Sequence, residues 1–295
     1  MVKKKHLRAH YLRNLMNSEL YTSEKSLKVL DYALSDSNLH ALMINVLKGT
    51  KQVNVINHIL NKLNLKEHSV KDIAPEKGSI GIDKVRAIKL EMSLKNSTEK
   101  KLLVIYNSEL LTHEAQNALL KILEEPTPNL LIILLTENID SLLPTVQSRC
   151  QIIEISKPSK SQFKQLLIEK GYKISEIDKA LAISGGLPDL TLSILNNEST
   201  NLTENLEYSK ALLKYPLISR LKEVDTLSKN KEQLADVLHA MELIASSGSK
   251  ASITKIGQLD KNWQRILTAV LDAKTNLSHN VNTRLVLTKL MLDIR

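Results

Sequence analysis

Between residues 40 and 156 the chain alternates short unbroken apolar runs with amphipathic stretches, a pattern that few folds can accommodate. The runs are ALMI (41–44), LLVIY (102–106), LLIILLT (130–136) and IIEI (152–155). A strand with no polar alternation must be covered on both faces, as happens in a parallel sheet sandwiched between helices. The intervening segments supply those helices. Ala115, Ala118, Leu119, Ile122 and Leu123 recur at i, i+3, i+4, i+7 and i+8, one face of a helix. Thr112 is placed to cap it, and Pro126 and Pro128 forbid its continuation. A second helix is expected over 83–94, with Val85, Ile88 and Met92 on one side and Asp83 as its cap. Parallel strands joined through helices by right-handed crossovers give an α/β layer fold.

After about residue 157 the β-like runs stop and the chain becomes all-α. KPSKS (157–161) has the composition of a linker. Ser175 and Asp178 have capping-box spacing for a short helix that closes at Gly185-Gly186. The polar stretch NNESTNLTEN (196–205) marks a second boundary, and amphipathic helices continue to Arg295. The last starts near Thr283, with Leu285, Leu287, Leu290 and Met291 as its apolar set. Three units are therefore expected, at 1–157, 158–200 and 201–295.

Composition narrows the function classes. A chain of 295 residues that is 42% hydrophobic and 25% charged is globular rather than disordered, and long enough to bury about 75% of its unfolded surface. The single cysteine, Cys150, excludes an internal disulfide and any multi-cysteine zinc module. The basic start MVKKKHLRAHYLRNLM lacks the apolar core of a secretory leader, and no run of about 18 apolar residues occurs, so the expected location is cytoplasmic, without a membrane partner. An excess of 41 Lys+Arg over 32 Asp+Glu, a net +9, favours an anionic partner. With only 3% aromatic residues, contact with nucleic acid would be made through phosphates rather than by stacking on bases.

The fold pattern invites a nucleotide, and the residues decline it. A phosphate loop needs glycines that let backbone N–H groups close around phosphates, a lysine for the terminal phosphates and a hydroxyl for magnesium. The segment NVLKGTKQV (45–53) lies where such a loop belongs. Aligned on Gly49, it has Val46 and Lys51 in the flanking glycine positions, Gln52 in the lysine position and Val53 in the hydroxyl position. The strand LLVIY ends in Tyr106 and Asn107, where acidic residues would hold magnesium and polarise the attacking water. No G-x-S-x-G, H-E-x-x-H or paired-cysteine spacing occurs. His6 and His10 share one helical face in a basic, solvated stretch, which favours a surface helix over a metal site. Cys150, with no histidine near it in sequence, has the character of a small packed residue. No cofactor or metal is expected on this chain.

The segment 115–151 contains the residue that matters most, Arg149, in Ser148-Arg149-Cys150 just before a strand. Two roles are open to it: a surface arginine paired with a carboxylate, or a guanidinium aimed at a neighbour's phosphates with its fixed, always-charged fork of donors.

ALLKILEEP (118–126) with LLPTVQSRC (142–150) resembles the AAA+ subunits of the bacterial DNA polymerase III clamp loader. GSIGIDKVRAIK (78–89) and NVNTRLVLTKLML (280–292) extend the resemblance toward the C-terminus. It implies an AAA+ P-loop-like parallel α/β domain, a small helical lid domain and a C-terminal helical collar domain. ATPase subunits of that family have an intact phosphate loop, an acidic second-strand motif and normally a four-cysteine zinc module, all absent here. Pro188, in SGGLPD (184–189), stands where such a subunit has its nucleotide-sensing arginine. Retention of Ser-Arg-Cys alone is similar to the non-hydrolysing members of the family. That similarity implies Arg149 as an arginine finger acting in trans, Ser148 positioning its turn, and ATP and Mg held by the neighbouring subunit. The implied partners are the gamma/tau ATPase and delta subunits, the sliding clamp and primer-template DNA. Lys84, Arg86 and Lys89 are candidates for phosphate contact; Lys3, Lys4, Lys5, Arg8 and Arg13 are equally suited to a basic tail.

Two alternatives stand beside this expectation. One is an autonomous ATPase of the same fold in which Lys51 replaces the missing phosphate-loop lysine. The other is a basic DNA-binding scaffold outside any clamp loader.

Overall fold

The computed structural model describes residues 19–65, 69–76, 78–93, 100–256, 260–279 and 281–294, with side chains at all of these except 89–93, 231, 232 and 254–256. The N-terminal histidines and lysines singled out above lie outside the described residues. The chain divides into two units, Met1–Ser159 and Lys160–Arg295. Both stretches expected as separate helical domains fall within the second unit.

The first unit contains a five-stranded sheet of β1 (Ala41–Asn45), β2 (Val70–Ile73), β3 (Lys101–Ile105), β4 (Leu130–Thr136) and β5 (Gln151–Glu154), in the order β2-β3-β4-β1-β5. Every pairing is parallel, with Leu42 opposite Ile133 and Leu103 opposite Ile132. Four helices of the unit are α1 (Glu24–Ser35), α2 (Gln52–Leu63), α3 (Ile82–Ser93) and α4 (His113–Glu124). The unbroken apolar runs of β1, β3 and β4 follow from this arrangement, because alternate residues of these strands enter different cores. By contrast β5, at the sheet edge, is buried only at Ile153 and leaves Ile152 44% exposed, so the run IIEI is not covered on both faces. Met43, Leu103, Ile105, Ile132 and Leu134 pack with Val85 of α3 and Leu119, Ile122 and Leu123 of α4. Leu42, Ile44, Val104, Leu131 and Ile133 pack with Leu30 and Leu34 of α1 and Val55, Ile56 and Ile59 of α2. β4, at the centre, is buried at all seven residues.

Thr112 caps α4 as its sequence predicts, its Oγ1 accepting the Ala115 N–H at 3.2 Å, and the helix ends before Pro126. α1 is tied to the end of β5 by the Ser26 hydroxyl, which donates to the Glu154 carbonyl at 2.9 Å. It is tied to α2 by Asp31, which accepts from His58 at 2.7 Å and from Lys62 at 3.0 Å. Burial pushes the Asp31 carboxyl up, but these two partners together hold it below its ordinary value.

Four local expectations need correction. β2, VKDI, escapes the apolar-run criterion because it is an edge strand with only Ile73 fully buried. α3 begins at Ile82, which puts Asp83 inside its first turn rather than at the cap. The helix expected to be capped by Ser175 starts at Ile174 with Lys173 at its N-cap, and Asp178 pairs instead with Lys164 at 2.6 Å. Leu285 is 68% exposed; Val286 takes its place beside Leu287, Leu290 and Met291 in the core.

The second unit is helical throughout its described residues: α6 (Lys160–Glu169), α7 (Ile174–Ser184), α8 (Pro188–Leu195), α9 (Asn201–Lys214), α10 (Leu217–Lys229), α11 (Lys231–Ile256), α12 (Lys261–Ser278) and α13 (Thr283–Asp293), with α5 (Pro144–Gln147) completing the first unit. Gly185, at φ +62°, ends α7 in the left-handed conformation that glycine adopts without strain. Leu212, Leu227, Val237, Met241, Val270, Leu287 and Met291 form one continuous core across α9 to α13. A Cβ at Gly248 would lie 2.4 Å from ring atoms of Trp263, so only glycine allows α11 this approach to α12.

Candidate active site and the Arg149 turn

In an open parallel sheet, ligands collect at the carboxyl ends of the strands where the strand order reverses. Loop 46–51 leaves β1 at that edge and leads into the N-terminus of α2. Gly49 turns the loop at φ +87°, and its N–H donates to Glu137 Oε1 at 3.3 Å. Glu137 directly follows β4. A carboxylate of the chain itself thus meets an amide at the place where phosphate oxygens would lie in a nucleotide-binding relative of this fold. Gln52, at the phosphate-loop lysine position, is 8% exposed, and its Oε1 accepts the Asn107 N–H at 3.0 Å. Val46 is buried, and Lys51 is exposed at the N-cap of α2 without a side-chain capping bond.

The end of β3 is equally committed. Asn107 turns the chain at φ +49°, and the nearest carboxylate beyond it, Glu109, accepts from its Nδ2 at 3.4 Å and from the Glu137 N–H at 3.3 Å. Gln52, Glu109 and Glu137 therefore bind the three loop ends to one another.

The Arg149 turn is built from two glutamines. Gln116 is 4% exposed on the apolar face of α4, three and seven residues before Leu119 and Leu123. Its Nε2 donates to the carbonyls of Leu111 and Ser141, both at 3.2 Å, and its Oε1 accepts the Leu143 N–H at 2.7 Å. Gln147 Nε2 donates to the carbonyls of Ile139 at 3.0 Å and Leu142 at 2.8 Å. Pro144 opens α5 at N1, where its missing N–H costs nothing, and the helix stops at Ser148. The Ser148 hydroxyl donates to the Thr145 carbonyl at 3.2 Å, which also receives Arg149 Nη1 at 2.9 Å. Arg149 Nη2 pairs with Glu124 at 2.7 Å, the two side chains being 36% and 47% exposed. In the single chain, then, the guanidinium has a carboxylate partner and remains at the surface. Cys150 packs against the core beneath this turn, and burial pushes its thiol up from 9.0 to about 12, which leaves it protonated and unreactive at neutral pH.

The other singled-out residues are scattered. Lys84 donates to the Ala74 carbonyl at 2.7 Å and pairs with Glu76 at 3.1 Å, so it serves its own loop. Arg86 is exposed, and the Lys89 side chain lies outside the described residues. Pro188 is buried at the start of α8. No cluster of His, Cys, Asp and Glu able to hold a metal occurs among the described residues, and no helix there is long and apolar enough to cross a membrane.

Motif spacing does not expose Glu109, Glu124, Glu137, Gln116 or Gln147. Gln116 alone leaves a sequence trace, a polar residue in register with an apolar helical face.

Residues 28–159 match the family described as DNA polymerase III, delta subunit. Curated relatives include the DNA polymerase III subunit delta' of Haemophilus influenzae, 38% identical over 128 residues that make up 42% of this chain and 39% of that one. The delta' subunit of Escherichia coli is 31% identical over 140 residues, 45% of this chain and 41% of its own. The chain thus spans about two-fifths of the length of these relatives. Among solved structures, a DNA polymerase III gamma subunit-related protein of Thermotoga maritima is similar at a TM-score of 0.55 and 21% identity, covering 92% of this chain and 100% of that one. A RuvB variant of the same organism gives a TM-score of 0.50 at 14% identity, covering 95% and 90%. These likenesses establish the fold, a P-loop-like parallel α/β unit followed by helices. Over residues 28–159 the chain is thus similar to the DNA polymerase III, delta subunit family, and it shares that similarity with bacterial delta' subunits.

Proposed function

We propose that the chain is a delta prime-like subunit of the DNA polymerase III clamp loader, one that hydrolyses no ATP and lends Arg149 in trans to the ATP site of a neighbouring gamma/tau subunit. The observation that carries this reading is a contrast within one unit. The loop at the phosphate position is filled by Gln52 and by the Glu137 carboxylate, while the Ser148-Arg149 turn is rigidly braced and keeps a guanidinium at the surface. A site that presents a carboxylate to the triphosphate repels it; a fixed, solvent-facing arginine attracts it.

The pairing with Glu124 does not prevent this role. An ion pair this exposed contributes only about 0.2–1 kcal/mol. A γ-phosphate offers the same guanidinium charge-assisted, bidentate acceptors, which are stronger. The arginine then stabilises charge on the transferring phosphoryl group, while ATP and Mg stay with the neighbour. Ser148 and Arg149 Nη1 share the Thr145 carbonyl, which fixes the direction from which the guanidinium swings. The delta subunit, the sliding clamp and primed DNA complete the proposed assembly, with Arg86 and the neighbouring Lys84 and Lys89 as its candidate phosphate contacts.

Reconstitution tests this function. The purified chain should neither bind micromolar ATP nor turn it over, yet assemble stoichiometrically with gamma/tau and delta. ATP turnover by the chain alone would favour an autonomous ATPase, and failure to assemble would favour a scaffold outside the loader.

A further inference from the structure

The Arg149 guanidinium is held at both of its terminal nitrogens, and by different elements. Nη1 donates to the Thr145 carbonyl at 2.9 Å, within its own turn. Nη2 pairs with Glu124 Oε1 at 2.7 Å, at the end of α4. The first partner is a neutral carbonyl that travels with the turn. The second is a charge on a separate helix. A phosphate arriving at the same fork would stand beside that carboxylate, like charge against like charge, so the two anions compete for one cation.

The place of Glu124 runs against the local electrostatics of its helix. α4 ends at Glu124 with Glu125 as its C-cap, which sets two exposed carboxylates at the terminus where the helix already carries partial negative charge. Such an end is stabilised by cations, and Lys121 is the basic residue of that last turn. Arg149 brings a further cation from outside the helix, through the pair with Glu124. A residue that breaks a local preference is expected where it has another use.

Given the trans role assigned to Arg149, on which this inference rests, we propose that Glu124 is a positioning residue for that role: the resting counter-ion of Arg149, given up in exchange for the neighbour's γ-phosphate. Charge sets the direction of the exchange. A terminal phosphate presents close to two negative charges and three acceptor oxygens, against the single charge and two oxygens of a carboxylate. When the neighbour holds only a diphosphate, there is no γ-phosphate to trade for and Arg149 stays with Glu124. The pair must break each time the triphosphate is gripped, so Glu124 weakens that grip by the worth of an exposed ion pair, a factor of about 1.4 to 5.

The test is the affinity of the full chain for the gamma/tau subunit, measured by fluorescence titration with a slowly hydrolysed ATP analogue and, separately, with ADP. Glu124→Gln keeps the shape of the side chain and removes its charge. Binding should tighten about 1.4- to 5-fold with the analogue and stay unchanged with ADP, and the gain should shrink as salt is raised, because an exposed pair is screened. In the Arg149→Ala background, Glu124→Gln should alter neither state. A merely structural effect would shift both nucleotide states alike and persist without Arg149; that result, or unchanged or weaker binding with the analogue, would overturn the role of Glu124. If instead Arg149→Ala keeps the full preference for the analogue over ADP, the trans role itself fails and takes this one with it. The two failures are distinct, since only in the first does Arg149→Ala abolish the preference.

Discussion

Glu137 ties the end of β4 to the loop that follows β1. Its Oε1 satisfies the Gly49 amide at 3.3 Å, beside a helix N-terminus that has no acid of its own. A hydrogen bond to a charged group near such an end contributes about 1 kcal/mol. Glu137→Ala should therefore lower the unfolding free energy by roughly that amount in urea titration. Inorganic phosphate should then recover part of the loss in the variant and do nothing to the unsubstituted chain; equal response of both would show that the carboxylate does not hold the anion position. Gln52 adds the second tie. Its Oε1 accepts the Asn107 N–H, while its buried Nε2 has no hydrogen-bond partner.

At the scale of elements, α4 and α5 together make the platform beneath Arg149, and Gln116 is the joint between them. Gln116→Ala removes three hydrogen bonds and strands the Leu143 N–H and two carbonyls in a buried region. At about 0.5–1.5 kcal/mol per bond, the expected cost is about 3 kcal/mol, measured as a lower urea midpoint at unchanged m-value. A loss below about 0.5 kcal/mol would remove Gln116 from the platform. This joint also marks where sequence reading stops. β1, β3 and β4 are legible because a strand covered on both faces must be apolar throughout; β5 shows as a short apolar run although only Ile153 of it is buried, and α4 is legible from its cap and period. β2 is not, because it is an edge strand in which three of four residues, Lys71 and Asp72 among them, are only half-buried. The Arg149 turn is legible as a motif; its braces are not, since Gln116 to Leu143 and Arg149 to Glu124 are contacts that only the folded chain brings together. Ser175 has the right spacing for a cap, yet α7 starts at Ile174 with Lys173 at its N-cap and no side-chain capping bond.

For the molecule as a whole, one unit carries both the Glu137–Gly49 and Gln52–Asn107 contacts and the half-exposed Arg149, and the other is a helical body with its own core. The second unit begins at Lys160, while no sequence signal announces that the buried Nε and Nη1 of Arg220 lack a hydrogen-bond partner. On the proposed reading, the chain affects ATP turnover only through a neighbour. The direct measurement is the DNA-stimulated ATPase rate of a loader reconstituted with Arg149→Ala in place of the unsubstituted chain, at equal assembly. Loss of an arginine finger removes a factor of about 10³ to 10⁵ at the site it serves. Total turnover should fall by the share of that one site, with assembly unchanged; an unaltered rate in the fully assembled complex would contradict the role of Arg149.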